Sequence, residues 1–117
     1  MNQKRMFALG RLKAGVMNRT EAEYELVLRQ ELHDGLLLWY RFEGVKLRLA
    51  DNTFLTVDFA VMKADGQLQM REIKGFMMSD AAVKLKVAAD QYPFSFVVIR
   101  KRPKKDGGGW SYEDVAL

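Results

Sequence analysis

An aspartate in the middle of an apolar run restricts this chain more than any other feature. Asp58 sits inside Phe54-Leu55-Thr56-Val57-Asp58-Phe59-Ala60-Val61, and Glu72-Ile73-Lys74 closes the next strand-like run, fourteen positions further on. An unpaired carboxylate buried in such a run costs several kcal/mol, and two of them side by side repel. A divalent cation between the two is the economical resolution, with Lys74 as a fixed positive charge beside it.

The flanking pattern places these residues on strands. Thr20-Glu21-Ala22-Glu23 matches a capping box, which predicts a helix from Thr20 to about His33, stopped by Asp34-Gly35. Tyr24, Leu28 and Leu32 mark its core face, with Val27 alongside. His33, the only histidine, is expected to complement the helix dipole rather than to do chemistry. Strand-like runs follow at Leu36–Phe42, Val45–Leu49, Phe54–Met62 and Gln67–Lys74, separated by Glu43-Gly44, Asp51-Asn52 and Asp65-Gly66. The short link between the last two runs predicts antiparallel pairing. Gly75 ends the fourth run, Ser79-Asp80 is a cap for a second helix over Ala81–Tyr92, and Pro93 halts it. Ala81, Leu85, Ala88 and Tyr92 share one face of that helix. Phe94–Arg100 then reads as a buried strand reached by a crossover. Residues 1–17 form a basic arm, 18–102 the domain, and 103–117 a basic, glycine-rich loop and a short tail.

Composition bounds the class. At 117 residues, 49% hydrophobic and 29% charged, the chain makes one ordinary globular domain. No apolar run approaches the ~20 residues of a membrane span, and the basic start lacks the apolar stretch of a signal peptide. With no cysteine there are no disulfides and no thiolate metal sites, which fits a reducing cytoplasm. The formal charge of +4 is gathered at the ends: Lys4, Arg5, Arg11, Lys13 and Arg19, then Arg100, Lys101, Arg102, Lys104 and Lys105. Such clusters are the footprint of a polyanionic partner, although basic ends also serve solubility alone.

Alternation along a strand puts Glu72 and Lys74 on one face, ~7 Å apart along the backbone, and Asp58 on the neighbouring run reaches that face if the register allows. Two such carboxylates suit Mg²⁺ or Mn²⁺, with the Ile73 carbonyl as a further oxygen ligand. The bland alternative is a cross-strand Asp58–Lys74 salt bridge, which leaves Glu72 unexplained. Glu21 is either a further acidic ligand or a residue favoured at the helix start. Glu23 is assigned to the capping box, Glu25 to solvent, and Glu43 to a turn, within reach as a spare ligand. Phe76-Met77-Met78 reads as core or interface, and Gly107-Gly108-Gly109 lacks the strand–helix context of a phosphate loop.

A helix carrying an acidic residue, an aspartate on one strand, E-x-K on the next, then a helix and a strand: this order resembles the PD-(D/E)XK nuclease superfamily. Asn18-Arg19-Thr20-Glu21-Ala22-Glu23-Tyr24, Glu72-Ile73-Lys74-Gly75 and Ala82-Val83-Lys84-Leu85-Lys86-Val87-Ala88-Ala89 look like a compact, phage-associated branch resembling Holliday junction resolvases. The resemblance spans roughly residues 18–100. It implies a restriction-endonuclease-like α/β core, helix–three-strand meander–helix–strand (αβββαβ), with a mixed sheet flanked by helices. It further implies Asp58, Glu72, Ile73 and Glu21 as ligands of Mg²⁺ or Mn²⁺, and Lys74 as the catalytic lysine. Lys84 becomes a phosphate contact, beside Arg19, Arg100, Lys101 and Arg102 as nucleic-acid contacts. One departure is Val57, where the superfamily usually has proline. The implied activity is metal-dependent endonucleolytic cleavage of DNA, selective for branched structures in phage replication or recombination, by a homodimer in the cytoplasm of a bacterial host. Two rivals stand beside it: a nucleic-acid-binding module that keeps the fold without cleaving, and a protein-interaction domain.

Overall fold

The computed structural model describes residues 15–74 and 79–115. Most of the expected basic arm, the Gly75 stop, Phe76-Met77-Met78, the Ser79 side chain and the last two residues lie outside that range.

Helix α1 runs Arg19–His33 and opens one box earlier than Thr20. Asn18 is the N-cap: its Oδ1 accepts the Glu21 N–H at 2.8 Å, and Glu21 Oε1 accepts the Asn18 N–H at 2.8 Å. Asparagine caps as well as serine or aspartate, so Asn18–Glu21 does for the Asn18 and Glu21 N–H groups what Thr20–Glu23 would have done two residues later. The end comes where expected, with the Asp34 N–H on Gln30 O and the Leu36 N–H on Glu31 O. Tyr24 and Leu28 are buried, but Leu32, in the last turn of the helix, is 41% exposed.

Strand β1 (Leu37–Phe42) leads into a hairpin of β2 (Lys46–Ala50) and β3 (Thr53–Thr56), followed by β4 (Phe59–Lys63) and β5 (Leu68–Ile73). The single strand expected over Phe54–Met62 is therefore two, broken at Val57-Asp58. There the Val57 N–H bonds Val45 O at 3.1 Å and Asp58 O accepts the Glu43 N–H at 2.8 Å. Buried Val57 joins the core beside Leu47, Leu85 and Ala88, so the bend packs the hairpin against the second helix. The turn from β1 to β2 requires Gly44: a Cβ there would stand 2.8 Å from the Arg41 side chain.

Helix α2 (Ser79–Gln91) connects β5 to β6 (Ser95–Lys101), and β7 (Trp110–Asp114) follows. The helix starts at Ser79, two residues before the expected Ala81, so Ser79 and Asp80 lie in its first turn, and it ends at Gln91. The main sheet has the order β1-β4-β5-β6-β7. β4 is antiparallel to both β1 and β5, β6 is parallel to β5 across the helix, and β7 is antiparallel to β6. The antiparallel hairpin and the crossover are as expected. The stretch read as a tail instead supplies an edge strand, reached through a short 3₁₀ turn (Lys104–Asp106) and three glycines with positive φ. The described residues thus form an α/β fold, with two helices, a mixed five-stranded sheet and a separate hairpin.

Alternation divides the core between the two sheet faces. Phe59, Val61, Ile73, Val97 and Ile99 meet Tyr24 and Leu28 of α1. Ala60, Met70, Phe96 and Val98 meet α2 and the hairpin. Arg71 is buried on the α1 face, where Nε donates to Gln69 Oε1 (2.8 Å), and Nη1 to Tyr24 Oη (2.8 Å) and Glu31 Oε1 (3.0 Å). Among the described residues no buried side-chain polar atom lacks a partner. No described helix is long and apolar enough to cross a membrane.

Phe59 is buried in a central strand and touches the rings of Tyr24, Tyr40 and Phe42. Phe59→Ala is expected to cost about 3–5 kcal/mol. Leu38→Ala, at a residue 60% exposed on edge strand β1, should stay within about 0.5 kcal/mol. Urea unfolding of both variants checks the core assignment.

Candidate metal centre

The ladder between β4 and β5 begins at Phe59↔Arg71. Beyond that pair, toward the end of β5, side chains replace the rungs. Glu72 Oε1 accepts the Asp58 N–H at 2.7 Å, and Asp58 Oδ2 accepts the Ile73 N–H at 2.8 Å. Lys74 Nζ stands 3.4 Å from Glu72 Oε2, so Glu72 and Lys74 share a face as alternation predicts. Among the described residues Lys74 makes no ion pair with Asp58. Asp58 does not sit in mid-strand; it occupies the bend, and that bend is what lets it reach across to β5.

A residue's N–H and C=O leave an extended strand by the same edge. Ile73, whose N–H meets Asp58, therefore turns its carbonyl toward the same side, while the Lys74 N–H goes to Ile99 O on β6 at 2.8 Å. Two carboxylates and one backbone carbonyl thus address one edge of the sheet end.

The electrostatics are strained in one direction. Burial first, then the negative charge of Glu72, pushes the Asp58 carboxyl up to about 8, against the smaller pull of the Ile73 N–H. Burial likewise raises Glu72, with Lys74 opposing. The charge of Glu21 pushes both upward, so the α1 N-terminus lies close enough to repel them. One Glu21 oxygen is nevertheless held by the Asn18 N–H. Among the described residues no three acidic or histidine side chains are grouped closely enough to hold an ion. The donor set still fits Mg²⁺ or Mn²⁺, which are held by one or two carboxylates and otherwise keep their waters. Glu43 does not join it, since its carboxylate takes the Gly15 N–H.

The expected nucleic-acid contacts divide into two groups. Arg19, Arg100 and Lys101 gather at the carboxyl end of β6 and the start of α1, the same end as the carboxylates, but each has an acidic partner. Arg19 and Lys101 both meet Glu23, and Arg100 meets Glu113. Glu23, assigned from sequence to the capping box, is therefore an ion-pair residue, and Glu21 is the box residue. Arg102 donates to the Asp106 backbone. Lys84 lies apart on α2, half-buried, with no ion pair among the described residues.

Sequence reasoning missed Asn18, whose spacing to Glu21 was an equally legible signal, and Arg71, whose buried role no local pattern announces. No protein-family model matches the chain, and no curated protein or solved structure matches it either.

Asp58 titrates near 8 when folded and near 4 when unfolded, so between these values the native state binds the extra proton. In EDTA, stability should therefore fall as pH rises from about 4 to about 8. Asp58→Asn keeps an acceptor for the Ile73 N–H without the charge and should flatten that slope. Urea midpoints at pH 5 and pH 8 check it, and an unchanged slope in the variant would refute the assignment.

Proposed function

We propose that this protein is a metal-dependent endodeoxyribonuclease with a restriction-endonuclease-like core, acting on branched DNA. The observation that carries the reading is the meeting of Asp58 and Glu72 at one strand end, with Lys74 3.4 Å from Glu72. Support comes also from the element order, an antiparallel β1-β4-β5 arrangement followed by a helix and a parallel strand. In open α/β sheets, ligands bind beyond the carboxyl ends of parallel strands, and β5 and β6 both end here.

Asp58, Glu72 and the Ile73 carbonyl would hold Mg²⁺ or Mn²⁺, which when bound would acidify a water and neutralise charge on a phosphate. Lys74 supplies what the carboxylates cannot: a cation that orients the attacking water and offsets charge on the phosphoryl oxygens. Water oxygen bonds to phosphorus, the bond to the departing sugar oxygen breaks, and that oxygen takes a proton. Arg19, Arg100 and Lys101 line the same end and would position the backbone without reading bases. The preference for junctions, like the dimer that would cut them symmetrically, rests on the superfamily resemblance and the small size of the domain.

A second reading, a nucleic-acid-binding module without cleavage, is favoured by a specific observation. Asp58 and Glu72 each close a gap in the sheet by accepting a backbone N–H, and Glu21 caps its helix. All three carboxylates therefore have structural work.

Incubation with four-way-junction, flap and linear duplex DNA separates the two readings. The nuclease should cut branched DNA in Mg²⁺ or Mn²⁺ and not in EDTA. Asp58→Ala and Lys74→Ala should each lose at least about 100-fold in rate while still binding. Binding without cleavage by the wild type under every condition would favour the second reading. Independently of activity, Mn²⁺ at pH 8 should raise the Tm of the wild type and not that of Asp58→Asn/Glu72→Gln.

A further inference from the structure

Two of the cations at the carboxyl end of the sheet share one anion. Glu23, in the second turn of α1, receives Arg19 Nε on one oxygen at 3.4 Å and Lys101 Nζ on the other. Arg19 is 94% exposed and Lys101 55%, so both remain in reach of a ligand from solvent. Their place is informative. Lys101 lies two residues beyond Ile99, whose carbonyl holds the Lys74 N–H, and Glu23 lies two residues beyond Glu21. Both cations therefore stand at the end of the sheet where β5 and β6 finish.

We infer that Glu23 is an internal stand-in for a backbone phosphate: Arg19 and Lys101 form a phosphodiester-binding site that Glu23 occupies in the free protein and yields to bound DNA. A carboxylate and a phosphate offer the same paired oxygen acceptors to a guanidinium and an ammonium, so exchange keeps both cations paired. An exposed ion pair is weak enough to be exchanged and is itself screened by salt. The consequence is selectivity. Lone phosphates compete poorly with a tethered carboxylate, whereas a substrate that also engages Lys74 and Arg100 brings its phosphate to the pair at high local concentration. The inference rests on the nucleic-acid reading above and holds whether or not the protein cleaves.

The test is anisotropy of labelled duplex and four-way-junction DNA in EDTA, across about 50–200 mM salt, with wild type, Glu23→Gln and Asp90→Asn. Asp90→Asn makes the same change in net charge near the far end of α2, at an exposed residue without an ion pair among the described residues. Glu23→Gln should bind several-fold more tightly than either, and its log–log salt slope should steepen by about 1–2, the worth of two freed cations. Arg19→Gln/Lys101→Gln should weaken binding much more in the Glu23→Gln background than in the wild type. Equal affinities for Glu23→Gln and Asp90→Asn, or losses that do not depend on Glu23, would overturn the inference. Absence of DNA binding in all variants at low salt is a different result, which overturns the nucleic-acid reading and the inference with it.

Discussion

The contact between Asp58 and Glu72 organises the molecule. Strand β4 would otherwise run on into β3; instead the backbone bends at Val57-Asp58, and the bend is held by carboxylates in place of ladder rungs. That bend swings the β2–β3 hairpin onto α2 and buries Val57. Two negative groups in a desolvated place are a poor choice if holding a bend were their whole task, because neutral amides would accept the same N–H groups without repulsion. Lys74 offsets part of the cost at Glu72, while burial and the charge of Glu72 push the Asp58 carboxyl upward.

Neighbouring residues of β5 divide the work between the two faces of the sheet. Arg71 faces α1, where Tyr24 and Glu31 share its Nη1 and Gln69 accepts from its Nε. Glu72 faces the other way and holds the bend. Burial pushes the Tyr24 hydroxyl well above its ordinary range, so it stays protonated beside Tyr112. One short strand therefore positions both the helix that carries Glu21 and the turn that carries Asp58. The convergence of charge at the end of the sheet follows from two adjacent side chains pointing in opposite directions.

Asp58, Glu72 and Lys74 were legible because acidic groups stand out in apolar runs and because strand alternation has a fixed period. The break at Val57 was not, since a buried, β-branched residue reads as strand whether the chain bends or continues. The capping box offered two registers, Asn18 to Glu21 and Thr20 to Glu23, with equivalent local chemistry. What separates them is tertiary: Lys101 reaches Glu23 across 78 positions of chain, leaving Glu21 to the cap. Strand β7 was hidden for a related reason. Trp110-Ser-Tyr-Glu-Asp pairs on one edge only and is mostly exposed, so it carries little of the apolar pattern that marks inner strands.

Glu21 decides how the centre would complete itself. Its carboxylate gives one oxygen to the Asn18 N–H, and turning it fully toward a cation would sacrifice part of a capping box worth about 0.5–2 kcal/mol. Nothing so large is required. The other oxygen has no hydrogen bond among the described residues, and its charge is already felt by both Asp58 and Glu72. A cation arriving between the two strand carboxylates would relieve their mutual repulsion and that from Glu21 together, without moving the helix. The cap would then serve the proposed centre by holding a third negative charge where both strand carboxylates feel it. A third carboxylate helps a hard cation bind even when it acts through the field and through water rather than by direct ligation.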